Sequence, residues 1–180
     1  MSDKSEHPSS QTKNSSRRKT MRALFMFLAK LAAIVLICFI LLTYFFGVFL
    51  SHSNDMFPAV RDGDLCLTYR RAEYRSGDIV VYLQNGVPRF GRIVGMSGDV
   101  IDMDVDGHFT VNGSVPFETV YYVTRSQDNS PVQYPYTVGE DELFLLNDLR
   151  DNGQDSRQFG GIKLEDTQGS LVLLLRRRGW

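Results

Sequence analysis

The longest apolar stretch of the chain is Leu31 to Leu50, 20 residues without a charged side chain. A helix of that length is about 30 Å long, which matches the hydrocarbon core of a bilayer. The apolar character extends back to Leu24 and is interrupted by Lys30, whose long side chain can reach the headgroups. The pattern predicts a transmembrane anchor within residues 23–50. A cleaved signal peptide fits less well, because the span is too long and residues 49–53 match an A-x-A cleavage site poorly.

After residue 64 the chain alternates between short β-rich runs and turn signals. The runs are Leu65 to Tyr69, Ile79 to Leu83, Pro88 to Met96, Val100 to Val105, Leu143 to Leu146 and Leu171 to Leu175. No stretch of about 12 or more residues in this part has helical periodicity. The prolines and polar residues around 121–136 predict a surface excursion over 115–141. We therefore expect a mainly β protein, with an antiparallel β domain after one N-terminal transmembrane helix.

Charge predicts how the chain is oriented in the membrane. Residues 1–22 contain six basic and two acidic side chains, and positive flanks stay in the cytoplasm. We expect 1–22 to be a disordered cytoplasmic tail, 23–50 a single-pass anchor in the cell membrane, and 51–180 an extracellular domain. That domain has 13 basic and 19 acidic side chains, which argues against a nucleic-acid-binding surface.

The cysteines and histidines predict neither a disulfide nor a metal site. Cys38 lies in the apolar span and Cys66 in the domain outside, so the two cannot pair within one chain. His7, His52 and His108 form no metal-ligand spacing with them. We expect no metal and no cofactor.

Four polar segments of the chain follow one another in a distinctive order. They are SNDMFP at Ser53–Pro58, SGDIVVY at Ser76–Tyr82, GRIVGMSGD at Gly91–Asp99, and NDLRDNGQDSRQFG at Asn147–Gly160. They resemble the S-x-S-M-x-P, R-G-D-I-V-V-F, K-R-[VI]-[VI]-G-x-P-G-D and G-D-N-R-[DN]-N-S-x-D-S-R-x-[FW]-G motifs of type I signal peptidases. The resemblance covers roughly residues 25–180 and implies the signal-peptidase fold.

The departures from these motifs fall on the catalytic positions. Asp55 stands where the family has its nucleophilic Ser, and Gly91 where it has the Lys that acts as general base. Gly153 stands where a Ser supports that Lys, while Ser53 matches the hydroxyl that helps to hold the oxyanion. The resemblance therefore implies a site without its Ser/Lys dyad, and we expect no peptidase activity.

The resemblance also implies a cleft that binds an extended peptide. We expect the cleft to be formed by Ser51, His52, Ser53, Met56, Pro58, Arg89 and Gly91. The polar residues of the fourth segment, which has Asn147 and Leu149 in place of family residues, are expected to form structural ion pairs and turn hydrogen bonds. These are Asp148, Arg150, Asp155 and Arg157.

The pattern of losses is most similar to the inactive signal-peptidase-like accessory proteins of Gram-positive pilus gene clusters. It implies a membrane-anchored factor that binds pilin subunits, sortase or both, and a homodimer is a further option. Two alternatives stay open. One is an active peptidase that uses Asp55 with Asp148 in aspartic-protease style. The other is a structural scaffold in the membrane.

Strand alternation gives two expectations about the altered site. Arg89 and Gly91 should share one face of their strand, with Phe90 and Arg92 on the other. Asp55 should then be hydrogen-bonded to Arg89 or to the Ser53 hydroxyl, since a partly buried carboxylate needs a partner. The missing side chain at position 91 should leave room for a larger bound residue.

Overall fold

The computed structural model of the chain describes residues 11–117, 122–127, 130–152 and 154–176. The predicted tail 1–22 and the predicted excursion 115–141 lie partly outside the described residues, and Gly153 lies outside them altogether. The chain divides into two units, Met1–Tyr44 and Phe45–Trp180.

The described residues of the first unit lie in one long helix, α1, which spans Gln11–Phe45. Its segment Lys19–Phe45 is long and apolar enough to cross a membrane, and its described side chains are unburied. The predicted apolar helix of membrane-spanning length is confirmed. The length and composition of this segment fit an anchor or a signal sequence equally well.

The helix ends at Phe45 and not at Leu50, because the next five residues form strand β1, Phe46–Leu50. Its aromatic and β-branched residues favour a strand, and β2 pairs with its backbone along the whole length. At Gly47 a Cβ atom would lie 2.6 Å from Phe49 Cε2 and 2.8 Å from Thr68 Oγ1, so glycine permits this close approach.

Nine further strands follow in the described part of the chain. They are β2 Leu65–Tyr69, β3 Ile79–Gln84, β4 Val87–Met96, β5 Val100–Met103, β6 Phe109–Val111, β7 Tyr136–Thr137, β8 Glu142–Leu146, β9 Ile162–Lys163 and β10 Thr167–Leu175. A short helix, α2, spans Ser156–Phe159, and 3₁₀ turns cover Arg150–Asn152 and Leu164–Asp166. The predicted scarcity of helix after the apolar span agrees with these elements.

The strands form two antiparallel sheets. The larger has the order β1-β2-β10-β3-β4-β8-β9, and the smaller has the order β6-β5-β7. All described strand pairs are antiparallel. The predicted antiparallel β architecture is confirmed.

The two faces of β3 and β4 enter different apolar clusters. Val81 and Phe90 pack with Met56, Val60 and Cys66. On the opposite face, the cluster consists of Val80, Tyr82, Ile93, Leu143 and Leu145. This division places the segment around Met56 over one face of the central strands and Tyr82 under the other.

Candidate functional site

The segment after β1 folds into a compact turn over Asn54–Val60 that backbone hydrogen bonds close. Phe57 N donates to Asn54 O and Val60 N donates to Met56 O, both at 2.9 Å. The side chain of Met56 is 2% exposed and anchors the turn in the core. The turn therefore holds Asp55 at a fixed point of the surface.

Asp55 is tied to the fourth polar segment through its backbone. Leu149 N donates to Asp55 O at 2.8 Å, and the Asp55 side chain is half-buried. No residue that the structure describes donates a hydrogen bond to its carboxylate or forms an ion pair with it. The expected bond from Arg89 or Ser53 is therefore wrong. Arg89 instead contacts Gln154, with Nη2 donating to Gln154 Oε1 at 3.0 Å.

Gly91 lies on β4, opposite Val80 of β3, while Arg89 lies opposite Tyr82. Arg89 and Gly91 therefore share one face of the strand, as the alternation predicts. A Cβ atom on Gly91 would lie 3.0 Å from Leu145 Cβ and 3.3 Å from Tyr82 Cε1. The expected room beside Gly91 is absent, because these two side chains fill it.

Tyr82 is fully buried next to this position. Its hydroxyl has no hydrogen-bond partner in the described part of the chain. Burial raises the pKa of Tyr82 above its usual range, and the negative charges of Asp155 and Asp55 act in the same direction. The hydroxyl is therefore protonated at neutral pH and is a poor candidate for a general base.

A groove of about 200 Å³ opens beside Asp55. Among the described residues, it is lined by His52, Ser53, Asp55, Val87, Pro88, Arg89, Phe90 and Asn147. His52, Ser53 and Arg89 are thus cleft residues that the sequence also indicated. Val87, Pro88, Phe90 and Asn147 are lining residues that it did not indicate.

The remaining expected cleft residues lie elsewhere. Ser51 is buried, and its hydroxyl donates to Ser53 O at 3.1 Å. Met56 points into the core, and Gly91 is covered by Leu145 and Tyr82. Pro58 is exposed outside the groove, with its carbonyl oxygen 3.5 Å from Arg176 Nη2.

Asp148 is held by Arg92 through two hydrogen bonds. Arg92 Nε donates to Asp148 Oδ1 at 2.7 Å, and Nη2 donates to Oδ2 at 2.6 Å. A carboxylate engaged in this way is poorly suited to share a proton with Asp55 in an aspartic-protease arrangement.

Asp155 and Arg157 form a buried pair that organises the fourth segment. Arg157 Nε and Nη2 donate to the two carboxylate oxygens of Asp155 at 2.9 Å each. Asp155 also accepts from Asn147 N at 3.1 Å, and Arg157 Nη2 donates to Arg150 O at 2.7 Å. Arg150 is 1% exposed and donates to Thr124 Oγ1. The described members of this set bond one another and do not face the groove, apart from Asn147.

The groove presents one carboxylate, that of Asp55, with the imidazole of His52 in the same lining and no lysine at position 91. A Ser-type mechanism needs a nucleophile and a base within hydrogen-bond reach, and positions 55 and 91 provide neither. Among the described residues, no group of three or more His, Cys, Asp or Glu side chains is placed to hold a metal ion. The geometry suits binding through hydrogen bonds and charge.

Known proteins resemble this chain over most of its length. Residues 24–175 match the family described as signal peptidase, peptidase S26. Signal peptidase I P of Bacillus subtilis subsp. natto is 28% identical over 161 residues, 81% of this chain and 84% of the relative. Signal peptidase I T of Bacillus subtilis strain 168 is 25% identical over 179 residues, 89% of each chain. The crystal structure of a signal peptidase I from Enterococcus faecalis V583 has a TM-score of 0.46 and 23% identity, covering 56% of this chain and 98% of that one. Since the family match spans most of the sequence, this protein belongs to the signal peptidase family, peptidase S26.

Proposed function

We propose that this protein is a non-catalytic member of the signal peptidase family that binds a peptide or protein segment in the groove beside Asp55. It acts as an accessory factor at the outer surface of the cell membrane. Helix α1 is its single-pass anchor, with the N-terminus in the cytoplasm, and the basic residues before the apolar span support that orientation.

The observation that supports the loss of catalysis most strongly is the packing around Gly91. Gly91 has no side chain to act as a base, and a Cβ atom there would lie only 3.0 Å from Leu145 Cβ and 3.3 Å from Tyr82 Cε1. In the serine protease subtilisin, loss of the nucleophile alone lowers kcat by roughly 10⁶. A residual rate reduced by that factor is too slow to process exported proteins.

The groove supports a binding role. It lies beside β4 and is lined by polar side chains next to the apolar Val87, Pro88 and Phe90. Apolar walls with a few polar groups are typical of sites that bind small molecules or peptides. Loss of the dyad does not remove these walls, so peptide binding can persist without cleavage.

The setting of this role rests on the resemblance to accessory proteins of pilus gene clusters that lack the same dyad. We propose pilin subunits, sortase or both as partners, and sortase-dependent pilus assembly as the process. In the native host, deletion of the gene should abolish pilin polymers, and wild type should restore them. Restoration by a variant with a blocked groove, such as Ser53→Trp, would contradict a role for the groove.

The direct test uses the full chain in lipid nanodiscs with a preprotein that contains an A-x-A site. We expect no cleavage product, and we expect binding of peptides to the protein. An active signal peptidase of the family serves as the positive control. Cleavage that disappears in Asp55→Ala would establish an unconventional peptidase. Neither cleavage nor binding would favour a scaffold.

A further inference from the structure

The groove beside Asp55 contains polar groups that lack partners in the described part of the chain. Asn147 is 2% exposed and lines the groove, yet its Nδ2 atom is buried without a hydrogen-bond partner. Arg89 Nε is buried without a partner as well. Buried donors are almost always satisfied in folded proteins, so two unpaired donors at one groove indicate an absent acceptor.

The groove also contains a hydrogen-bond acceptor that lacks a donor among the described residues. The Asp55 carboxylate receives no hydrogen bond from any described residue and is half-buried. Of the other carboxylates nearby, Asp148 is bonded to Arg92 and Asp155 to Arg157. Asp55 is therefore the carboxylate in this region that remains available to a bound donor.

Arg89 does not form an ion pair with Asp55. Its Nη2 donates to Gln154 Oε1, which holds the guanidinium on the side of the fourth segment, and no Arg89–Asp55 ion pair forms. The groove therefore offers donors at Arg89 and Asn147 and a separate negative charge at Asp55. A ligand that matches them presents an acceptor and a cation at two different points.

An extended peptide with a basic side chain has both features. Its main-chain carbonyl group can accept from Asn147 Nδ2 or Arg89 Nε, and its cation can donate to Asp55. Val87 and Pro88 line the same groove and give the aliphatic part of a long side chain a surface to pack on. This favours Lys or Arg over a bare N-terminal ammonium.

We propose that Asp55 is the specificity residue of the groove, which selects extended segments with a Lys or Arg side chain placed against the Asp55 carboxylate. Asn147 holds the main chain of the same segment. The inference rests on the proposed function, since it presumes that the groove binds peptide. It assigns the residue at the former nucleophile position to recognition.

The test is a selection from a library of short random peptides with the full chain in nanodiscs. We expect wild type to enrich Lys or Arg at one position of the selected peptides. Asp55→Asn keeps the shape and removes the charge, and it should lose that preference. Asp55→Lys should instead select peptides with Asp or Glu at that position. Asp102→Asn is the matched control, because Asp102 is exposed on β5 outside the groove, and it should select like wild type.

A selected peptide is then synthesised with an acetylated N-terminus, so that only its side chain supplies the cation. Replacing its basic residue with norleucine should weaken binding to wild type by about tenfold or more and to Asp55→Asn by less than about twofold. Asn147→Ala should weaken the binding of the selected peptide and of its norleucine derivative by about the same factor.

The selection distinguishes failure of this inference from failure of the proposed peptide-binding function. A selected motif without a basic position, or one that Asp55→Asn leaves unchanged, would overturn this inference and leave peptide binding intact. No enrichment with any of the proteins would overturn the proposed peptide-binding function itself, and this inference with it.

Discussion

The ring of Tyr82 packs directly against Gly91, so that a Cβ atom at position 91 would lie 3.3 Å from Tyr82 Cε1. Leu145 closes the same space from the neighbouring strand, with its Cβ at 3.0 Å. Both contacts are closer than ordinary van der Waals separation. Position 91, which the motif resemblance matches to the general base, is therefore closely packed in this chain.

Gly91→Lys should destabilise the protein. The new Cβ atom would press on Leu145 and Tyr82 at 3.0 and 3.3 Å, so these neighbours must shift, and overpacking of a core costs about 1–3 kcal/mol. The change in the free energy of unfolding can be measured by urea titration of the full chain in detergent. Val100→Lys is the control, since Val100 is exposed on β5 and the change there should stay within about 0.5 kcal/mol. Equal effects at the two positions would contradict the packing argument.

Restoring the dyad should not restore activity. In Asp55→Ser/Gly91→Lys, the new lysine starts from a position crowded by Tyr82 and Leu145, whereas catalytic groups must be held within about 0.5 Å of their working geometry. We expect little or no cleavage of a preprotein by the double variant, and more when Gly153→Ser is added. Asp55→Ser alone is the control. Full activity of the double variant would show that the surroundings of the dyad still function.

The buried pair of Asp155 and Arg157 should be essential for stability. Both side chains are at most 2% exposed, and Asp155→Asn leaves the Arg157 charge buried without its partner. We expect a loss of about 3–5 kcal/mol in the free energy of unfolding. Glu165→Gln is the matched control, because the Lys163–Glu165 pair is exposed, and it should cost at most about 1 kcal/mol. A small effect of Asp155→Asn would mean that neighbouring groups compensate for the lost charge.

The sequence predicted the architecture well, because the relevant signals are local. Alternation placed Arg89 and Gly91 on one face of β4, and the strands start at turn signals such as Gly77. Strand β1 was missed because Phe46–Leu50 continues an apolar run, and only pairing with β2 separates it from the helix. The limits of an apolar run do not show where helix changes to strand.

The altered site was predictable only in part. Motif comparison drew attention to positions 55 and 91 as altered, but the close packing at Gly91 depends on Tyr82 and Leu145 from two neighbouring strands. Likewise, the pairing of Arg89 with Gln154, 65 residues further along the chain, takes away the partner expected for Asp55. Such contacts depend on strand register and side-chain direction, which spacing along the chain does not give.

The stability of the protein should depend on pH through Asp64. Arg176 donates to both carboxylate oxygens of Asp64, and these hydrogen bonds hold the pKa of Asp64 below its usual range. The unfolded chain takes up this proton near pH 4, before the folded chain does, so the contribution is present above that pH and lost below it. The difference in melting temperature between wild type and Asp64→Asn should therefore shrink between pH 5 and about pH 3. Asp102→Asn, at an exposed carboxylate, should melt like wild type at both pH values, and a constant gap for Asp64→Asn would contradict the ion pair's role.

We propose that the groove beside Asp55 holds a peptide and does not cut it. The most direct measurement is the intact mass of a library-selected peptide recovered from the full-length protein after prolonged incubation in nanodiscs. We predict that the peptide remains bound and is recovered with its mass unchanged, in wild type and in Asp102→Asn alike. Recovery of two fragments, with cleavage abolished by Asp55→Ala, would contradict the account.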